Sequence, residues 1–149
     1  MQANRSIPDA VVLPELAYPD VNVAADWLAR AFGFAVRLRI ADHRVQMSVP
    51  DGGALVVKQG EVTPDSCASH SVMVRVADVD AHHARAMAAG AAVAGKPTTY
   101  PFGERQYGVR DFAGHHWVFT QSVADVDPAA WGGELHAESA SPPHGLEDS

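Results

Sequence analysis

Apolar and polar positions along this chain follow two periods, and those periods occur twice in the same order. In the first instance Val23, Ala24, Trp27, Leu28 and Ala31 recur at the spacing of one helix face, the stripe of an amphipathic helix. Asn22 is placed to cap its start, and Gly33 to stop it in a left-handed turn. Residues 78–90 repeat this grammar with an Asp-Val entry, an acidic cap at Asp80, an alanine-rich body and a closing Gly90. A strand-like run precedes each helix, residues 11–18 and 71–76. In the latter Val72, Val74 and Val76 alternate with Ser71, Met73 and Arg75, as in a half-buried strand.

The repetition continues beyond the helices. Residues 35–40 and 44–49, the turn Pro50-Asp51-Gly52-Gly53 and residues 54–58 follow the first helix. A short run at 97–100, residues 105–110, the turn Asp111-Phe112-Ala113-Gly114 and residues 115–121 follow the second. Both turns carry the Asp and Gly of tight strand connections. Each half therefore reads β-α-β-β-β. The expected fold is α+β, one domain over residues 1–135, with module one at about 9–60 and module two at about 69–122. Residues 136–149 contain Pro142 and Pro143 among polar and acidic residues, and they are expected to form a mobile tail.

Bulk properties narrow the partners. With 149 residues, 47% hydrophobic, the chain has enough apolar content for one ordinary core. A formal net charge of −7 repels nucleic-acid phosphates. No apolar run reaches the roughly 18 residues that span a bilayer. Residues 1–9 lack the basic stretch and apolar block of a secretory signal. The single cysteine, Cys67, has no intramolecular disulfide partner and reads as a small packing residue, so a reducing cytoplasm is the expected compartment.

Particular motifs go further. The chain carries Asp-Val-x-x-Ala before a helix that ends Phe32-Gly33-Phe34. It also carries Val-x-Asp-Val-Asp-Ala over residues 76–81 and Asp-x-x-Gly-His-x-Trp over 111–117. On these, and on the paired βαβββ order, it resembles the vicinal oxygen chelate superfamily. That superfamily includes glyoxalase I, bleomycin-resistance proteins, extradiol dioxygenases and fosfomycin-resistance enzymes. The resemblance covers about residues 11–121 and implies two modules forming a half-open mixed-sheet barrel, with helices outside and a small molecule in the concave cup. It also implies a homodimer.

The enzymes of that superfamily place His or Glu metal ligands on the first and last strand of each unit. The flanking motifs map those positions to Leu13, Val57, Ser71 and Val118, or one residue away to Pro14, Val56, His70 and Trp117. Hydrocarbon side chains offer no lone pair, so no metal and no other cofactor is expected. A displaced site using Glu15 and His116 is the alternative. The adjacent pairs His82-His83 and His115-His116 lack chelating spacing, and His82 and His83 read as helix surface.

Strand parity with Val118 aims His116 and Thr120 into the cup and turns Trp117 and Phe119 toward the helices. The same rule brings in Ser71, Met73 and Arg75, and on the first strand Leu13, Glu15 and Ala17. Arg105 and Tyr107 share one strand face. The candidate ligand-binding set is Glu15, Met73, Arg75, Arg105, Tyr107, His116 and Thr120, a mixture suited to a small-molecule pocket. Each polar member has a structural alternative: Glu15 neutralising Arg75, Arg105 serving as an edge-strand charge, Tyr107 packing. No nucleophile elbow, phosphate loop or dinucleotide fingerprint is present. The expected function is metal-independent binding of a small amphipathic or aromatic molecule. The alternative is a metal-dependent glyoxalase-like lyase or isomerase, or a dioxygenase relative, with displaced ligands.

Overall fold

The structure is a computed structural model that describes residues 1–93 and 95–136. Apart from His136, the expected tail lies outside the described residues. The first half is β1 (Glu15–Tyr18), α1 (Val21–Phe32), β2 (Ala35–Ile40), β3 (Arg44–Ser48) and β4 (Ala54–Gln59). After the linker helix α2 (Pro64–Ala68) come β5 (Ser71–Arg75), α3 (Val79–Ala88), β6 (Ala92–Val93), β7 (Thr98–Thr99), β8 (Glu104–Arg110) and β9 (His116–Ser122). A 3-10 turn, Pro128–Trp131, follows among the described residues.

The halves build separate sheets of matching topology. Strand order is β1-β4-β3-β2 in the first and β5-β9-β8-β6 in the second, with β7 also on β8. In each, the opening strand runs parallel to the closing strand, and the other pairs are antiparallel. Among the described residues no strand pair joins the two sheets, so they form no closed barrel.

Both main helices start two residues earlier than their sequence suggests. Asp20 caps α1, accepting from the backbone N–H of Asn22 and Val23, and Asp78 caps α3, accepting from that of Ala81. Starting there places Val21 and Val79 inside the first turn, where both side chains are fully buried. Asn22 and Asp80 are thus helical residues rather than caps. Gly33 does close α1, at φ 80°.

Each sheet has one helix-facing side and one open side. Leu16, Tyr18, Val45, Met47, Leu55 and Val57 from the first sheet join Val74, Tyr107, Val109, Trp117 and Phe119 from the second in one apolar core with α1 and α3. Period-two alternation, read correctly in the sequence for β5 and β9, produces this sorting. Phe32 lies at the centre of the core, with ring centroids 5.3 Å from Trp117 and 4.7 Å from Phe119. Within the linker, α2 gives the segment an order that its short polar sequence did not indicate, and it buries Cys67.

Candidate functional site

On the open side of the first sheet, Ser6, Ile7, Leu13, Glu15, Ile40, Arg44, Gln46 and Val56 line a cavity of about 440 Å³. Strand pairing explains the grouping, because Glu15, Val56 and Gln46 stand abreast across β1, β4 and β3. Glu15 forms an ion pair with Arg44 at 3.0 Å. At the floor Gln46 is buried with both ends of its amide engaged: Arg37 Nη1 donates to Oε1 at 2.5 Å, and Nε2 donates to the Ser6 carbonyl at 2.8 Å. Arg37 reaches that face because the β2–β3 register skips beside it, and the irregularity re-aims its side chain. Its Nη2 also donates to the Arg5 carbonyl, so the N-terminal segment is tied across the sheet.

The open side of the second sheet presents three cross-strand rows. They are Ser71, His116 and Arg110; Met73, Val118 and Gly108; and Arg75, Thr120 and Gln106. Thr120 donates to Glu104 Oε1 at 2.7 Å and accepts from Gln106 Nε2 at 3.1 Å. Hydrogen bonds from Ser122 and Thr120, assisted by the charge of Arg75, hold the Glu104 carboxyl below its ordinary range. Met73 is 62% exposed, and with Arg75 it borders a cleft of about 470 Å³ along the free edge of β5. Val12, Pro14 and the turn after β3 form its other bank.

Of the seven candidate residues, Glu15 lines the first-sheet cavity, Met73 and Arg75 line the β5 cleft, and His116 and Thr120 lie beside them on the open face. Arg105 and Tyr107 are not brought to that face. Tyr107 pairs with the core residue Phe119, so both side chains belong to the helix side. There Arg105 donates to both carboxylate oxygens of Asp80, at 3.0 and 2.9 Å, and this contact keeps the Asp80 carboxyl below its usual range. Glu15 is paired with Arg44, not with Arg75.

Sequence reading missed His82 and His115 as structural groups. Expected as solvated or edge-packed helix surface, His82 is partly buried, its Nε2–H donating to the Phe32 carbonyl at 3.1 Å and its Nδ1 accepting from the Tyr107 hydroxyl at 2.6 Å. Burial is the main cause lowering its pKa and also raises that of Tyr107. His115 donates from Nε2 to the Ala17 carbonyl at 2.7 Å, which leaves Nδ1 as acceptor for the Cys67 thiol at 3.7 Å. The single signal in the sequence was His115's place in the Gly-His-x-Trp motif.

The chelating positions can now be assigned by face. Val57 lies fully buried among the helix-facing residues, so the open-face residue of β4 is its neighbour Val56, and the set becomes Leu13, Val56, Ser71 and Val118. Three hydrocarbons and one hydroxyl do not fit the divalent ion of the family's enzymes. Among the described residues no three His, Cys, Asp or Glu side chains are grouped as such an ion requires. Glu15 and His116 belong to different sheets, and His116 does not line the cavity that contains Glu15.

Comparison with known proteins agrees with this architecture. No curated protein matches the sequence. Among solved structures, TioX from Micromonospora sp. ML1 is 38% identical, with 79% of this chain and 100% of that chain covered and a TM-score of 0.63. The genomically encoded fosfomycin resistance protein FosX from Listeria monocytogenes, complexed with Mn(II) and sulfate, is 14% identical over 78% of this chain and 92% of its own, with a TM-score of 0.64. Lactoylglutathione lyase from Agrobacterium tumefaciens is 17% identical over 76% and 94%, with a TM-score of 0.57. The latter two share the fold alone. The family model for the Glyoxalase/Bleomycin resistance protein/Dioxygenase superfamily matches residues 9–119. Motifs, duplicated topology and that match together make the chain a member of the glyoxalase/bleomycin resistance protein/dioxygenase superfamily.

Proposed function

We propose that this protein captures a small amphipathic or aromatic molecule on the open faces of its sheets without a metal ion, in the manner of the bleomycin-resistance branch of its family. The supporting observation is the first-sheet cavity. Its walls are Leu13, Ile40, Val56 and Ile7, its polar groups are a fixed amide and a Glu15–Arg44 pair, and its volume of about 440 Å³ is that of a ligand pocket. Hydrocarbon at Leu13, Val56 and Val118 suits apolar contact where relatives that use a metal need lone pairs.

A homodimer is part of the proposal. Val12 and Met73 are largely exposed and border the same cleft, and a second copy laid over the open faces would cover them. The reducing cytoplasm remains the compartment expected for a chain with one free, buried thiol. No helix among the described residues is long and apolar enough to cross a membrane.

Two measurements on the purified full chain test the proposal. Native mass spectrometry should find a bound small organic compound, and elemental analysis should find less than one tenth of a divalent ion per chain. A stoichiometric ion removed by chelator, together with metal-dependent turnover lost in His116→Ala or Glu15→Ala, would establish the lyase or dioxygenase alternative instead.

A further inference from the structure

The two halves are related by an internal two-fold correspondence, visible where each helix is capped by the other. Trp27 Nε1 donates to the Ala89 carbonyl at the end of α3 (3.0 Å). Arg85, its counterpart on α3, donates to the Arg30 and Ala29 carbonyls at the end of α1 (2.8 and 3.1 Å). The correspondence also pairs Tyr18 with Val76, each the residue next before the capping dipeptide, and Phe112 with Pro50 in the turns that precede β9 and β4.

Beside the first helix the space between these positions is filled by rings. Tyr18 stacks on Phe112 with centroids 5.8 Å apart, Trp27 meets Phe112 edge-on at 5.4 Å, and the Tyr18 hydroxyl donates to Asp111. Beside the second helix the counterparts are Val76, Pro50 and Arg85, none of them aromatic, and a cavity of about 270 Å³ stands in that place. Phe32, Phe34 and His82 supply aromatic surface on one side of it, and Val74 and Val76 supply aliphatic surface. Asp51 adds a carboxylate. Arg85 adds Nη1, which lies beside Gly33 with no hydrogen-bond partner among the described residues. A buried apolar cavity of about 150 Å³ already suffices for benzene.

From this asymmetry we infer that the cavity between α3, the end of β5 and the turn before β4 is a binding site for a flat, single-ring aromatic molecule of phenol size. The ring takes the place that Tyr18 takes in the other half, and its polar substituent meets Asp51 or Arg85. This site lies mainly on the helix side of the second sheet and adjoins the β5 cleft through Pro50, Asp51, Val74 and Val76. It shares no lining residue with the first-sheet cavity and stands whether or not that cavity binds a ligand.

The probe is p-cresol, the tyrosine side chain as a free molecule, titrated into the full-length protein while the methyl resonances of Val74, Val76 and Ala81 are followed by NMR. Saturable shifts confined to these methyls are expected, with a dissociation constant on the order of a millimolar for so small a ligand. Val76→Tyr, which installs the residue of the other half, and Ala81→Trp, at an exposed helix position lining the cavity, should each weaken binding at least tenfold with thermal unfolding cooperative as before. Either variant suffices if the other fails to fold. Arg44→Met, in the first-sheet cavity, should leave it unchanged. Absence of saturable binding, undiminished binding in a folded filled variant, or loss only in Arg44→Met would overturn the assignment.

Discussion

Asp111 accepts hydrogen bonds from the Tyr18 hydroxyl at 2.5 Å, the Trp117 indole at 3.1 Å and the backbone N–H groups of Ala113 and His115. A buried carboxylate is tolerable only with such company, and its donors become unpaired if it is removed. Burial first, and then the Asp111 carboxylate, raise the Tyr18 pKa and keep the phenol protonated as a donor. Asp111→Ala should therefore destabilise the protein by about 3 kcal/mol in urea unfolding. A loss below about 1 kcal/mol would show that water replaces the carboxylate at little cost. His82 is a second residue with a testable signature. Burial, against the opposing Phe32 carbonyl, lowers its pKa, so the folded protein holds a neutral imidazole where the unfolded chain binds a proton. Its contribution is complete above the unfolded value of about 6.5 and is lost as the pH falls from there through the lower folded value. The melting temperature of His82→Phe should accordingly fall less than that of the wild type between about pH 7 and 5. Parallel curves would assign the acid sensitivity to other groups.

Among the elements, α1 and α3 depend on each other's side chains for their C-terminal ends. Carbonyls at a helix end need donors, and a guanidinium there also meets the favourable end of the helix dipole. Replacing Arg85 by Met should cost about 1 kcal/mol. Equal stability of the variant, by urea unfolding, would mean solvent already serves these carbonyls. The repeated strand–helix–strand order was legible in the sequence because helix and strand periods are local properties of residues such as Trp27, Leu28 and Val72 to Val76. Parity alone also sent Trp117 and Phe119 to the core and His116 and Thr120 to the open face. Other features were not legible. The caps fell two residues earlier because burial of Val21 and Val79, a tertiary effect, decides where the helices begin. The choice between Val57 and Val56 stayed open because the continuous apolar, buried run of β4 has no alternation to read. His82 was unreadable because its partners, Tyr107 and Phe32, come from other elements far along the chain.

At the scale of the whole molecule, two sheets share one core yet leave Met73, and Val12 across the cleft from it, exposed beside the free edge of β5. Light scattering should return the mass of two chains, and Met73→Glu should shift it toward one by burying a charge in the contact. An unchanged dimer in that variant would move the interface away from the β5 cleft. The linker adds a consequence of another kind. Cys67 sits on α2 with its sulfur against the turn after β8, only 1% exposed and facing a histidine whose other nitrogen is bound to β1. The native thiol is thus a built-in clock. A colourless disulfide reagent that turns yellow on exchange can reach it only when linker and turn part, so the rate of colour release counts those separations without any label being introduced.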